Sequence, residues 1–230
     1  MKRLALAVAL IAAACGAGAT PDAEESTPLA TIVTTTTSTS TSTTTSTTTT
    51  TTTTTTILPA LAETAGEVTI TGPALPLFGS GPDAAIGQTA PVVNGSSFDG
   101  SEVNIEPSGK FSVIMFLAHW CPHCRGEVED LGPYFESSPP PDNVEVLSVS
   151  TGVRPAADNY PPSEWLTPDA WPVPVLIDTD DAAVSNAFGL NAFPFWVVLD
   201  PQGVVLGRNA GSLPQESVEA LFENLAEREG

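Results

Sequence analysis

The sequence predicts an α/β fold in which helices flank a central mixed β-sheet. Short apolar or β-branched runs alternate with helical patterns, a tight turn joins the last two runs, and an amphipathic pattern closes the chain. Alternation of this kind is typical of a sheet covered by helices. Residues 86–230 are assigned to this domain, a length sufficient for one hydrophobic core.

Five segments are predicted as strands of the sheet. Each is rich in apolar or β-branched residues, which favour the half-buried surface of a sheet. The sequence Asp-Pro-Gln-Gly at 200–203 is a strong turn signal and joins the last two strands as a hairpin. The predicted strands are residues 111–117, 144–150, 173–177, 195–199 and 204–206.

The first predicted helix follows directly on the strand at 111–117. It covers residues 122–131, with Pro122 at its first position, where proline is well tolerated. Gly132 and Pro133 are typical of a helix end and are expected to terminate it.

Two further helices are predicted in the second half of the domain. Residues 181–188 form a short helix closed by Gly189, and residues 214–227 form a longer one with Ser212 as its expected cap. Apolar residues recur at helical spacing in the longer segment, so one of its faces is expected to pack inward.

Residues 1–15 have the pattern of a signal peptide for export. Lys2 and Arg3 precede an apolar run at 4–14 that is too short to span a bilayer comfortably. The sequence around Cys15, Ala-Ala-Ala-Cys-Gly, resembles a bacterial lipobox, in which this cysteine is the lipid attachment site. A lipid on Cys15 would hold the secreted protein at the outer face of the cell membrane. The alternative is ordinary signal cleavage, with Cys15 lost or left as a stray thiol.

Residues 16–85 are predicted to be a disordered stalk and linker. Positions 34–56 are Thr or Ser without exception, and such a tract has too little apolar surface to offset the entropy of ordering. It is typical of an extended, O-glycosylated spacer, and a tolerated linker of no required length is the alternative. Residues 57–85 are rich in Ala, Gly and Pro and are expected to be a poorly ordered approach to the domain.

The chain is strongly acidic, with a formal charge of −20 from 27 acidic and 7 basic residues. Such a surface repels phosphate, which argues against nucleic acid as a partner. Anionic lipid headgroups are repelled as well, so membrane attachment must come from something other than charge.

Two of the three cysteines, Cys121 and Cys124, form a CxxC pair at the start of the first predicted helix. A disulfide between them closes too small a loop to stabilise a fold much, which indicates a chemical role. Unpaired amide groups at a helix N-terminus favour a negative sulfur on Cys121, and a protonated His123 adds a nearby positive charge. Cys124, one turn further, is expected to be more buried and placed to attack a mixed disulfide on Cys121.

The sequence around this pair, MFLAHWCPHC at 115–124, resembles the thioredoxin superfamily. The sequence NAFP at 191–194 is similar to the cis-proline loop of that family. The sequence GQTAP at 87–91 is similar to the entry of TlpA-like membrane-anchored members, and Glu127 matches a glutamate common in that subgroup. The Cys-Pro-His-Cys motif itself resembles that of DsbA-type oxidases.

This resemblance implies a thioredoxin-like fold and an extracytoplasmic thiol-disulfide oxidoreductase. It requires no metal or other cofactor, because the electrons reside in the sulfur pair. The expected partners are protein substrates with thiols or disulfides and a redox partner in the membrane, and the direction of electron flow stays open. The expected catalytic residues are Cys121, Cys124, His123 and Glu127, and the expected substrate-binding residues are Phe193, Pro194 and Trp120.

Three departures from the family pattern bear on the site. Pro-His between the cysteines differs from TlpA-like reductases, which usually have Pro just before the second cysteine. Met115 stands where thioredoxin carries a buried acid, so Glu127 would have to accept the proton of Cys124. Phe193 is bulkier than the usual residue before the cis-proline and is expected to narrow the substrate groove.

Other functions are less well supported by the sequence. A zinc site built from the CxxC pair with His119 and His123 would need four ligands within positions 119–124, and ligands so spaced rarely converge on one metal. A peroxidase would need Thr or Ser where Ala118 stands. A copper-binding assembly protein would need a wider cysteine spacing and a distant histidine. A metal- or protein-binding module of the same fold without redox turnover is the remaining alternative.

The Pro-rich insertion at 154–174 contains Trp165 and Trp171. Either side chain could line a substrate groove, pack in the core or belong to a covering loop. The sequence leaves these alternatives open.

Overall fold

The computed structural model describes residues 61–228. The predicted signal peptide, the lipid attachment at Cys15 and the Thr/Ser tract lie outside the described residues. Within the described range, none of the helices combines the length and the apolar character needed to cross a bilayer.

In the described range, four initial strands are followed by helices and strands that alternate until two consecutive strands precede the last helix. In chain order they are β1 (Thr69–Thr71), β2 (Val92–Ser96), β3 (Glu102–Ile105), β4 (Phe111–Leu117), α1 (Pro122–Ser137), β5 (Val144–Ser150), α2 (Pro162–Trp165), β6 (Val175–Ile177), α3 (Ala183–Ala187), β7 (Phe195–Leu199), β8 (Val205–Ala210) and α4 (Gln215–Ala226).

A five-stranded mixed sheet in the order β6-β5-β4-β7-β8 forms the centre of the domain. The middle strand, β4, is buried at every position, which explains why its sequence is apolar except at Ser112. β5 and β6 extend the sheet in parallel on one side, and β7 and β8 extend it antiparallel on the other. The predicted α/β class with a central mixed sheet is therefore confirmed.

Three strands, β4, β5 and β7, have the predicted bounds, and the other two predicted strands differ. β6 begins two residues later than predicted, after Pro174, which has no N–H to donate to a ladder. β8 continues to Ala210, because its pairing with β7 outlasts the apolar part of its sequence.

Helices cover both faces of the sheet. Leu131 of α1 and Phe222 of α4 share one core with Val113 of β4. On the other face, Phe188 after α3 packs against Phe116, with ring centroids 5.3 Å apart. Since successive residues of a strand point to opposite faces, β4 contributes alternately to the two cores.

The first helix is longer than predicted, and the expected end at Gly132 and Pro133 is wrong. α1 continues through Pro133 to Ser137. A Cβ built on Gly132 would lie 2.2 Å from the carbonyl oxygen of Ala170, so this glycine allows a close approach of two backbone segments. Pro133 forfeits one helical hydrogen bond, but Leu131 and Phe135 on either side of it are buried in the core and hold the helix together.

The predicted cap of the last helix is also wrong. α4 begins at Gln215 with Pro214 in the N-cap position, where no side chain caps the helix. Ser212 lies two residues before that position, and a capping side chain must belong to the residue directly before the first helical turn.

Residues 61–85 belong to the ordered domain, so the predicted boundary at residue 86 and the expected poor order before it are corrected. β1 pairs with β2, which pairs with β3, to form a second, antiparallel sheet. Asp83 forms a salt bridge with Arg208 of β8, whose side chain is fully buried. Arg208 also donates hydrogen bonds to the carbonyls of Pro76 and Phe188, at 2.9 and 2.8 Å. A buried arginine saturated in this way fixes the segment to the central sheet.

Replacing Gly132 by Ala should lower the free energy of unfolding by about 1–3 kcal/mol, because the added methyl group overlaps the Ala170 carbonyl. Gly126→Ala on the same helix is the matched control, since nothing lies within 4 Å of its added Cβ. That control should be neutral or stabilising by up to about 1 kcal/mol. Chemical denaturation measures both, and equal stabilities of the two variants would contradict the packing at Gly132.

Candidate active site

Cys121 lies at the junction where β4 passes into α1. It occupies the N-cap position of the helix in an extended conformation, its N–H donates to the Ala118 carbonyl at 2.9 Å, and its carbonyl accepts from the Arg125 N–H at 3.1 Å. The amide groups of a first helical turn have no partner within the helix, and together with the helix dipole they favour a negative sulfur. Cys121 is 6% exposed and lines a groove of about 550 Å³, so the small open part of this residue faces a space that a substrate can enter.

Cys124 lies beneath Cys121 in the interior. Its side chain has no exposed surface, and its Sγ accepts a hydrogen bond from the Ala118 N–H at 3.5 Å. Burial raises the pKa of the Cys124 thiol well above its usual range, and the neighbouring Cys121 and Glu127 raise it further. The two thiols are therefore unequal: one faces the groove at a helix terminus, and the other is a protonated interior thiol.

The loop before β7 supplies the wall of the groove opposite Cys121. The Phe193–Pro194 peptide bond is cis, as the family resemblance implies. The Phe193 carbonyl oxygen lies 3.7 Å from Cys121 Sγ, and the Phe193 ring meets Trp120 edge-on with centroids 5.7 Å apart. Trp120 is held by a 2.7 Å hydrogen bond from its Nε1 to the Gly152 carbonyl. The fold thus brings Trp120 and Phe193 to the groove of Cys121, and Pro194 adjoins Phe193 through the cis peptide bond.

Glu127 is a buried carboxyl on the helix one turn beyond Cys124. Its side chain is 4% exposed, its Oε1 accepts from the Leu213 N–H at 3.0 Å, and its Oε2 has no hydrogen-bond partner in residues 61–228. Burial raises the pKa of Glu127 from 4.5 to about 7, although the Leu213 hydrogen bond acts in the opposite direction. Met115, the alternative position for an acid, is fully buried in the central strand. Glu127 can therefore exchange a proton near neutral pH close to Cys124.

The two histidines occupy different environments. His123 is exposed on the first turn of α1. His119 is 1% exposed, its Nδ1 lies 2.6 Å from the Asp158 carbonyl, and its Nε2 accepts from the Arg154 N–H at 3.0 Å. These partners place the proton of His119 on Nδ1 and occupy its free lone pair. His119 therefore fastens the loop that starts at Arg154, and neither of its ring nitrogens is directed at the cysteines.

Arg154 is a groove residue that sequence reasoning missed. Its guanidinium carbon lies 3.6 Å from the centroid of the Trp120 ring, and its side chain lines the groove of Cys121. It is 33 residues away from Cys121 along the chain, so only the fold brings the two together. The one available signal was its charge, since a basic residue is uncommon in so acidic a chain.

The tryptophans of the insertion at 154–174 do not line the groove of Cys121. Trp171 is buried in the core, 1% exposed, and its Nε1 donates to Ser148 Oγ at 3.0 Å. Trp165 packs against the same core from a half-buried position. The sequence left open whether Trp171 lines a groove, packs in the core or belongs to a covering loop. The structure shows that it packs in the core.

Together, the sheet order, the helix placement and the dithiol at the start of α1 define a protein of the thioredoxin-like fold. The chain belongs to the AhpC/TSA family, whose family model matches residues 86–208.

Curated relatives and solved structures give further likenesses. Human nucleoredoxin is 29% identical over 118 residues, which are 50% of this chain and 25% of that protein. The chain thus spans about a quarter of the length of the nucleoredoxins it matches. StoA from Bacillus subtilis is 17% identical with a TM-score of 0.49, covering 59% of this chain and 97% of that one. DsbF from MTB is 25% identical with a TM-score of 0.45, covering 57% and 93%.

Replacing Glu127 by Gln should change how stability depends on pH. The folded chain keeps Glu127 protonated up to about pH 7, whereas the unfolded chain ionises it near 4.5. The folded state therefore binds more protons between these values, and its stability falls as the pH rises through this window. The free energy of unfolding of Glu127→Gln, measured relative to the native chain, should rise by up to about 3 kcal/mol across the window and level off above pH 7.

Chemical denaturation at a series of pH values measures this difference. Glu129→Gln removes an exposed carboxylate from the same helix and controls for the change in net charge. If the free energies of unfolding of the native chain and of Glu127→Gln depend on pH in the same way, burial does not shift the pKa of Glu127.

Proposed function

We propose that this protein is an extracytoplasmic thiol-disulfide oxidoreductase that exchanges disulfides with protein substrates. The observation that supports this most directly is the inequality of the two thiols. Cys121 combines the helix N-terminus with access to the groove, whereas Cys124 is fully buried directly behind it. Thiol-disulfide exchange needs one thiol that the substrate can reach, as the nucleophile, and a second thiol behind it that resolves the mixed disulfide.

In the reducing direction the Cys121 thiolate attacks one sulfur of a substrate disulfide. A mixed disulfide forms, and the other substrate sulfur leaves as a thiolate that takes up a proton. Cys124 then loses its proton to Glu127 and attacks the Cys121 sulfur, which forms the Cys121–Cys124 disulfide and releases the second substrate thiol. Two electrons pass from the protein to the substrate, and the same steps in reverse oxidise a substrate dithiol.

Glu127 suits the role of proton acceptor for Cys124. Its carboxyl titrates at about pH 7, close to the pH at which such exchange would operate. The unpartnered Oε2 has the capacity to take up a proton without losing an existing hydrogen bond.

The substrate chain is proposed to lie along the loop of Phe193 and Pro194. The Phe193 carbonyl is directed at the reactive sulfur, and backbone groups at such a position can bind an extended segment through main-chain hydrogen bonds. The Trp120 and Phe193 rings, which meet edge-on, form one apolar wall beside it. Phe193 contributes bulk on this wall, which supports the expectation of a narrowed groove.

A peroxidase role is not favoured. Ala118 stands three residues before Cys121 and carries no hydroxyl group that could activate a peroxide. Its N–H instead donates to Cys124 Sγ, so this position serves the resolving thiol.

The proposed location is the outer face of the cell membrane. The signal-like residues 1–15, the lipobox-like sequence at Cys15 and the acidic composition of the chain support it. A redox partner in the same membrane would return the Cys121–Cys124 pair to its starting oxidation state after each exchange.

In a bacterial host, Cys15→Ser should move the protein from the membrane fraction to the soluble extracellular fraction. An unchanged distribution would argue against the lipid anchor.

The function is tested by the redox behaviour of the full chain in glutathione or dithiothreitol buffers, followed by thiol alkylation and mass spectrometry. We expect a reversible two-electron couple between Cys121 and Cys124 that disappears in Cys121→Ser. A reduction potential of about −120 mV would assign the oxidising direction, and one of about −270 mV the reducing direction. The absence of any reversible couple would leave a binding module without redox turnover.

His123 should tune that couple. An imidazolium on the first turn of α1 stabilises the Cys121 thiolate and hence the reduced protein. His123→Ala should therefore make the pair more reducing, by on the order of 30 mV or tenfold in the equilibrium constant. Glu129→Gln, an exposed change further along the same helix, is the control and should shift the potential by less. An unchanged potential in His123→Ala would remove His123 from the mechanism.

A further inference from the structure

The groove of Cys121 differs in charge from the rest of the protein. The chain carries 27 acidic residues, yet none of the described residues that line this groove is Asp or Glu. Arg154 is the one charged side chain among them, and the carboxylate of Asp178 lies behind this lining, where it accepts hydrogen bonds from Thr151 and Ser185. A local positive charge in a strongly acidic protein creates a field opposite in sign to that of the surrounding surface.

Arg154 is held in place from two sides. Its guanidinium carbon stacks 3.6 Å from the centroid of the Trp120 ring, which is itself fixed by the hydrogen bond to Gly152. Its backbone N–H donates to the buried His119 ring, and its carbonyl accepts from the Ala157 N–H at 2.9 Å. The charge is therefore positioned at the groove by a loop that these hydrogen bonds hold in place.

No carboxylate within residues 61–228 forms a salt bridge with Arg154. Arg208, by contrast, has its Asp83 partner and is buried away from the groove. Arg154 is an exposed residue, and the five N–H donors of its guanidinium have the geometry that binds a carboxylate. Stacking on Trp120 leaves the edge of the guanidinium, where those donors lie, open for such a partner.

We propose that Arg154 makes this groove selective for substrate segments that carry a carboxylate side chain next to the reactive cysteine. This inference rests on the proposed thiol-disulfide exchange at Cys121 and names its substrate class. The acidic surface as a whole repels such segments, so a preference for them must come from the groove. Arg154 acts as a specificity residue: it binds the substrate beside the bond that is broken and takes no part in electron transfer.

The test uses synthetic peptides whose cysteine carries a neutral 2-thiopyridyl disulfide and is flanked by Glu, Gln or Lys. The Cys121 thiolate attacks the peptide sulfur, the peptide–Cys121 disulfide forms, and 2-thiopyridone leaves with the electron pair of the broken S–S bond. Its absorbance reports the rate whichever direction the protein works in. The pre-reduced full chain supplies the thiol, and Cys121→Ser gives the background rate of every other thiol.

The native chain should react about threefold to fivefold faster with the Glu peptide than with the Gln peptide, and slowest with the Lys peptide. Arg154→Gln should bring the Glu-to-Gln ratio to about one or below, and this ratio cancels any change in rate that the variant causes equally for both peptides. Arg154→Lys keeps the charge and should retain part of the preference. Arg228→Gln removes the same charge from an exposed site at the end of α4 and should leave the ratio unchanged.

Salt gives a second readout that needs no variant. The preference of the native chain should shrink as salt rises from about 20 mM to about 0.5 M, because the attraction is screened. Equal native rates for the Glu and Gln peptides, or a preference that survives in Arg154→Gln, would overturn the inference and leave the proposed function standing. Failure of every peptide to react with Cys121 would overturn both.

Discussion

The chemistry of this domain depends on how the chain passes from a fully buried strand into a helix at Cys121. β4 is buried at every position, and the helix starts only five residues after the strand ends. The turn between them sets Cys121 at the helix N-terminus and at the edge of the groove. The next turn of the helix is already in the core, so Cys124 is buried by the same geometry. The inequality of the thiols is thus a direct consequence of the strand-to-helix transition.

The interior behind the two cysteines contains a buried carboxyl, that of Glu127, which does not stabilise the fold. Glu127 is buried with one oxygen unpartnered, and burial raises its pKa to about 7. Removing a carboxyl from water costs free energy unless the group is paired or protonated. A buried acid that titrates near neutral pH beside a buried thiol is costly for the fold and useful for proton transfer. At the groove of Cys121, Arg154 carries a positive charge that no carboxylate within residues 61–228 pairs with in a salt bridge.

The parts of the structure that could be predicted from the sequence are those set by local pattern. The apolar runs gave the bounds of β4, β5 and β7, and the Cys-Pro-His-Cys motif located the start of α1. The predictions that were wrong or absent concern residues whose structure is set by contacts with distant parts of the chain. Gly132 is explained by the Ala170 carbonyl that approaches it and not by a helix end. Residues 61–85 have a linker-like composition, but their order comes from pairing with β2 and from the buried salt bridge of Arg208. Arg154 reaches the groove through a loop fastened by His119, a contact that no local pattern reveals.

The inequality of the two thiols is tested most directly by the order in which they are alkylated. The reduced full chain is treated with substoichiometric iodoacetamide at neutral pH, and the labelled peptides are quantified by mass spectrometry. Cys121 should be modified at least about tenfold faster than Cys124, because it faces the groove at the helix N-terminus while Cys124 is a buried, protonated thiol. Equal labelling of both, or earlier labelling of Cys124, would contradict the assignment of nucleophile and resolving thiol.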